Sequence, residues 1–452
     1  MEDKLKGYKG KSKELLEKNK LEIWDIIKVN SENGNFEGIL LPRTEYSAPN
    51  YIDIKLENNY NVGINVSKIT KIEKIGKKEA HYQIPEKKFP RNNKLPNITL
   101  LGTGGTVASR LDYTTGAVIP SFTPGELFSS VPELAEICNL ETEIVFEILS
   151  ENMKPEYWQK LAVKVEKAAN SGKDGIVIGH GTDTMGFTSA ALSFMLKNLS
   201  IPVVLVGSQR SSDRPSSDAA MNLINAATIA TSDIAEVVVA MLGSSAHDYG
   251  LIHRGTLVRK MHSSVRNTFR TIDDIPLGMI KDRKIKMFTD SYKKRTKSKT
   301  EALTQFEKKI ALVYSYPGMK DEIIDFYVDK GYKGIVIAGT GLGHVDTELY
   351  PSIKRAIQEG IIVLMTVQTL HGFTGMNVYS TGRELLEIGV IPGRNLIPET
   401  AYVKLGCVLG RHDDPNEIKE LLLTNIAGEF VEREKPIAFN YDIDTLLSKN
   451  QL

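Results

Sequence analysis

The stretch Leu100-Leu101-Gly102-Thr103-Gly104-Gly105-Thr106-Val107-Ala108-Ser109 decides how the rest of the chain is read. It continues the apolar run Ile98-Thr99-Leu100-Leu101, whose aliphatic and β-branched residues predict a buried strand. Three glycines then permit a sharp turn and a close approach of backbone to whatever sits above the strand end. Two hydroxyls, Thr103 and Thr106, are left at that spot, where open α/β sheets place their ligands. A nucleotide turn is the first reading to test. The dinucleotide fingerprint requires glycine or alanine where the chain has Val107, and a P-loop requires Gly-Lys-Ser/Thr; neither is present. Two readings remain, a plain tight turn or a hydroxyl nucleophile.

Working outward, Gly175-Ile176-Val177-Ile178-Gly179-His180-Gly181-Thr182-Asp183-Thr184 is again a buried strand that ends in glycines, hydroxyls and a carboxylate. Lys333-Gly334-Ile335-Val336-Ile337-Ala338-Gly339 echoes the strand of that unit. Strands predicted at 143–149, 175–178, 203–206 and 237–241 alternate with helices at 155–171, 189–199 and 219–231. The alternation resumes at 310–314, 334–337 and 361–366, with helices at 321–330 and 351–360. Such a pattern implies an α/β body with a mainly parallel sheet covered on both faces. The body divides into subdomains at 97–291 and 309–440, joined by a polar, basic linker at 292–308 and followed by a tail at 441–452.

Residues 1–84 have a different texture. A Lys-rich start reads as a solvated helix or a loose, solubilising arm, and five short β segments between 25 and 75, separated by Asn/Gly turns, predict a small all-β barrel of the SH3 or Sm type. Residues 85–96, with three prolines and four basic residues, form a linker.

Composition narrows the class. A hydrophobic content of 41% supports packed cores in a 452-residue chain, and a net charge of +1 supplies no overall field for nucleic acid. The basic run 293–299 reads as solvated linker in preference to an RNA contact. Cys138 and Cys407 are too few for a disulfide framework and fit a reducing cytosol as packed core residues. The N-terminus lacks the apolar core of a signal peptide, and no run approaches the roughly 18 apolar residues of a membrane span, so a cytoplasmic location is expected. His247, His253 and His262 lack metal-ligand spacing and a carboxylate partner, so no metal is expected.

Taken together, Gly102–Ser109 (GTGGTVAS) and Gly179–Thr184 (GHGTDT) resemble the two signature motifs of the L-asparaginase/glutaminase family with a threonine nucleophile. The resemblance runs from about 97 to 440. It implies that Thr106 is the nucleophile, that Thr182 and Asp183 form the second catalytic pair, and that Lys260 in Arg254-Gly255-Thr256-Leu257-Val258-Arg259-Lys260 is the catalytic lysine. It further implies that Tyr113 lies on a loop closing the site and that Ser150 holds the substrate's α-carboxylate. Glu151 stands where free bacterial members commonly have glutamine, which bears on substrate preference.

The chemistry accounts for these residue types. A threonine hydroxyl must lose its proton as it attacks an amide carbon, and an internal Thr106 has no α-amine of its own to accept it. Lys260 drawing the proton through Thr182, with Asp183 orienting the group, meets that need if the site desolvates the lysine. Backbone N–H groups at 105–106 or 181–182 are candidate donors to the tetrahedral oxyanion. Taken singly, the residues have plainer readings: Asp183 or Thr184 as a helix cap, Lys260 as a surface lysine.

The barrel, together with Val378-Tyr379-Ser380-Thr381-Gly382-Arg383-Glu384 and Pro398-Glu399-Thr400-Ala401-Tyr402-Val403-Lys404-Leu405, resembles a narrower group: the ammonia-supplying subunits of archaeal tRNA-dependent amidotransferases. That resemblance implies hydrolysis of glutamine or asparagine, with no cofactor in this chain. It also implies a partner, the amidotransferase's E subunit, which uses ATP and Mg to activate and amidate Glu-tRNA(Gln). A homodimer core within a heterotetramer follows, with tRNA reached mainly through the partner. The rival readings are a free-standing cytoplasmic L-asparaginase and a non-enzymatic binding protein on the same fold.

Overall fold

The computed structural model describes residues 5, 7–43, 47–57, 61–77, 88–104, 109–111, 118–120, 127, 130–210, 216–435, 437–439 and 446–447. The first unit is an antiparallel sheet of five strands, in the order Asn61–Asn65, Tyr51–Leu56, Gly34–Leu40, Asp25–Ser31, Ile69–Lys77. Its two edge strands are consecutive in the chain and are joined only by the 3-10 turn Val66–Lys68. A flat sheet would hold them about 19 Å apart, and the four residue steps from Asn65 to Ile69 span at most about 14 Å. The sheet therefore rolls up, giving the small barrel that the turn spacing predicts.

The Lys-rich start takes the helical one of its two readings, but it is packed on one side rather than solvated all round. Gly10–Lys18 is a helix, and Leu5, Tyr8, Leu16 and Leu21 share one core with Ile27, Val29, Leu40, Ile52 and Ile54. The Tyr8 hydroxyl donates to the Leu41 carbonyl at 2.8 Å. Lysines on the open face dominate the composition, while a few apolar residues on the other face set the packing. Downstream, the Asn139 side chain accepts from the Asn92 N–H and donates to the Asn92 and Leu95 carbonyls, so the end of the linker is fastened to the body.

The body's first sheet has eight strands, ordered Lys284–Met287, Gly278–Lys281, Gly250–Arg254, Val237–Leu242, Val203–Val206, Gly175–Gly179, Asn97–Gly102, Asn139–Ile144. The last five of these run parallel. Ile176 and Ile178 face one core, with Trp158, Leu161 and Met185; Val177 faces another, with Leu100, Val204 and Ala226. Burial on both faces explains why these strands read as unbroken apolar runs. The helix Pro155–Ala169 buries Trp158, Leu161, Ala162, Val165 and Ala169, a single stripe, behind a proline in its first turn.

Two sequence expectations shift. The edge strand is Asn139–Ile144, not 143–149: its mostly polar residues, with Glu141 and Glu143 exposed, suit an edge, and Val145 and Phe146 leave the sheet to enter the core beside Trp158. The following helix occupies Met185–Met195, starting four residues early because it springs directly from the 3-10 turn Thr182–Thr184.

The second sheet, Ile310–Tyr314, Gly334–Gly339, Ile362–Val367 and Ile391–Pro392, is wholly parallel. One hydrophobic core crosses the subdomain boundary, joining Trp158 and Phe194 to Val336, Leu364 and Leu405. The connecting segment is tied down along its length. Arg295 donates to the Ser232 and Ala230 carbonyls, and Phe306 packs edge-on against Trp158 at 5.7 Å. Cys138 and Cys407 are buried free thiols.

Candidate active site

Both glycine turns lie at the carboxyl ends of adjacent parallel strands, and their conformations bring them together. Gly104 has φ +100°, and a Cβ there would fall 2.2 Å from the Ile148 carbonyl oxygen. Thr103, buried, donates both its N–H and its hydroxyl to the Gly179 carbonyl, at 3.1 and 2.9 Å. Thr103 thus locks one turn onto the other. Gly105 to Ala108 and residues 112–117 lie outside the described residues, so the expectations for Thr106 and Tyr113 have no geometry here.

The second turn delivers the polar groups. Gly181 passes so close to Ser150 that a Cβ would meet the serine Cβ at 2.7 Å and its Oγ at 2.8 Å. The Thr184 hydroxyl donates to the Ser150 carbonyl at 2.8 Å. Ser150 is buried and opens the 3-10 turn Ser150–Asn152; Glu151, next along, is exposed. Lys260 comes from a separate two-stranded ribbon, Val258–Lys260 against Phe269–Thr271, in which it pairs with the buried Phe269. Its Nζ donates to Thr182 Oγ1 at 3.0 Å and to Asp183 Oδ1 at 2.7 Å. Thr182 and Lys260 are well shielded, whereas Asp183 stays largely open. Ser150, Thr182, Asp183 and Lys260, scattered over more than a hundred positions of sequence, are thereby gathered at one end of the sheet.

A cavity of about 280 Å³ is lined by Asp183, Phe187, Arg259, Lys260, His262 and Glu399. Arg259 and Glu399 pair at 2.6 Å, fixing the ribbon beside Lys260 to the start of the helix Pro398–Leu409. No local feature of the sequence marks this pair: Arg259 adjoins Lys260, but nothing near Glu399 announces that the two meet. A larger cavity, about 420 Å³, is lined by Asn198, Glu236, Lys293 and Lys294 and by none of the gathered groups. Chemistry, not size, singles out the smaller one.

The histidines are otherwise engaged. Burial holds His180 down to about 4, and its Nδ1 sits 2.6 Å from the Gly181 carbonyl, so the neutral ring buttresses the turn. His262 Nδ1 accepts from the N–H groups of Ser264 and Val265 and shapes the bend after the ribbon.

The chain matches three family models: the asparaginase N-terminal domain over 97–293, the glutaminase/asparaginase C-terminal domain over 309–422, and the GatD N-terminal domain over 21–75. It is 53% identical to the Glutamyl-tRNA(Gln) amidotransferase D subunit of Pyrococcus furiosus, over 94% of this chain and 99% of that protein. It is 52% identical to the corresponding protein of Thermococcus kodakarensis, over 93% and 97%. Among solved structures it resembles the thermostable L-asparaginase of Thermococcus kodakarensis, with a TM-score of 0.67 and 31% identity, over 74% of this chain and 99% of that one. A probable cytoplasmic L-asparaginase of Campylobacter jejuni superposes with a TM-score of 0.63 and 31% identity, over 73% and 100%.

Proposed function

Because this chain belongs to the asparaginase family, and within it to the D subunits of Glutamyl-tRNA(Gln) amidotransferases, we propose that it hydrolyses the side-chain amide of glutamine or asparagine and supplies the ammonia to a tRNA-dependent partner. Thr106 Oγ attacks the amide carbon, and its proton passes by way of Thr182 and Lys260 to the departing nitrogen, which leaves as ammonia. Water then cleaves the acyl ester and releases the acid. For Lys260 to accept a proton, Nζ must reverse its present role of donor to Thr182, with Asp183 holding it in line. Ser150 grips the α-carboxylate, Tyr113 closes the site, and Glu151 tunes the preference between the two amides.

The observation that carries this reading is the placement of Lys260 Nζ within hydrogen-bond reach of both Thr182 and Asp183. The tRNA-dependent half rests on the relatives that match nearly end to end, whereas the asparaginase structures match only about three quarters of this chain. In this reading the amidotransferase's E subunit binds ATP and Mg, contacts Glu-tRNA(Gln) and performs the amidation. Two copies of each chain form a cytoplasmic heterotetramer around a homodimer of this one. Glutaminase rate is to be measured for this chain alone, with the partner, and with partner, ATP and Glu-tRNA(Gln). A stepwise rise is expected; a rate that is high alone and unmoved by both additions would favour a free-standing asparaginase.

A further inference from the structure

We propose that Asp273, His371 and Glu434 hold a divalent ion of the zinc class at the join between the two subdomains, independently of the amide chemistry. One donor atom from each of the three lies within 4.8 Å of the others. Asp273 is fully buried; its Oδ1 accepts from the Gly372 N–H at 2.9 Å, across 99 positions of sequence, while Oδ2 has no partner among the described residues. A buried carboxylate oxygen left without a donor is costly unless a cation meets it.

His371 Nδ1 is the second such atom: buried, without a hydrogen bond among the described residues, and 3.5 Å from Asp273 Oδ1. That separation is long for a hydrogen bond between nitrogen and oxygen. It matches two ligands sharing a tetrahedral ion, which lie about 3.4 Å apart when each bond is about 2.1 Å; an ion beside Nδ1 and Oδ1 that takes the carboxylate through both oxygens would also meet the unpartnered Oδ2. Lys435, the adjacent cation, does not fill the need, because it pairs with Asp274 at 2.5 Å. The Phe439 ring stands edge-on to the imidazole at 5.1 Å and shields that side.

The donor set is one imidazole nitrogen and two carboxylates. Imidazole favours zinc and its first-row neighbours, whereas magnesium takes oxygen ligands. No short sequence spacing betrays the site, since its members come from three distant segments; this is why a search for local His and carboxylate spacing predicts no metal. Asp273 follows the strand Phe269–Thr271, partner of the strand that carries Lys260, and His371 follows the C-terminal strand Ile362–Val367. The ion would staple the ribbon to the second subdomain.

Zn²⁺ alone, titrated into the chelator-treated full-length chain, is expected to bind one ion per chain by calorimetry and to raise the thermal midpoint. His371→Ala, at a half-buried position, should leave the metal-free midpoint near the parent's, weaken Zn²⁺ binding at least about tenfold and remove the midpoint rise. Asp273→Asn, of nearly the same shape, should do the same to binding. Absence of Zn²⁺ binding by the parent chain overturns the assignment, and so does binding that survives either substitution undiminished.

Discussion

At the scale of single residues, Lys260 is the group on which the proposed proton path turns. Its Nζ joins Thr182 to Asp183, and it is presented by a ribbon rather than by the strand turns themselves. Lys260→Arg keeps the charge and the reach to Asp183 but cannot give up its proton near neutrality. The variant should fold with an unchanged thermal midpoint, bind substrate, and lose at least about 10²-fold in kcat with little change in KM. Normal turnover in the arginine variant would reduce Lys260 to an electrostatic support. The strand-glycine-hydroxyl pattern marked Thr182 and Asp183 as lying at a sheet's carboxyl end, whereas Ser150, with no glycine turn beside it, was singled out by the family resemblance alone. Glu399 was not legible, because its partner Arg259 is distant in sequence and ion pairs leave no periodic trace.

Among elements, the turns are set by glycines whose absent side chains are what allow the contacts. At Gly181 the limit is Ser150, since any Cβ would meet that serine at under 3 Å. Gly181→Ala must therefore push Ser150 aside without touching Lys260 directly. The expected result is a raised KM for glutamine with a smaller change in kcat, read by steady-state kinetics. Loss confined to kcat would place Ser150 outside substrate binding. Periodicity predicted most elements because both faces of the central strands are buried and each helix carries one apolar stripe. It failed where tertiary demands won. Phe146 is drawn into the core beside Tyr157, at 4.6 Å between rings, and this ends the edge strand early. The N-terminal helix hides Leu16 under a lysine-rich composition.

Considered whole, the molecule couples its stability to pH through two buried imidazoles. Burial holds His180 down to about 4 and His253 to about 3, against an ordinary value of 6.5. The unfolded chain therefore binds more protons below about pH 6.5. Stability contributed by the neutral rings is full above that value and is lost as pH falls toward the folded values, by about 2 kcal/mol for each ring at about pH 5. The thermal midpoint should thus drop between about pH 7.5 and 5, and the drop should shrink in His253→Gln, whose amide is uncharged throughout; a flat profile would mean that other groups offset the rings.

The union of an asparaginase body with a separate barrel is also a property of the whole chain, and it underlies the central claim that this hydrolase feeds ammonia to a tRNA-bound partner. The direct measurement is transfer of label from amide-labelled glutamine into Gln-tRNA(Gln), with this chain, the partner, ATP and Glu-tRNA(Gln) present. Wild type should transfer the label. Folded Thr106→Val should transfer none, yet should support amidation when free ammonium is added. Label transfer that persists in Thr106→Val, or Gln-tRNA(Gln) formed by the wild-type mixture without label from glutamine, would contradict the account.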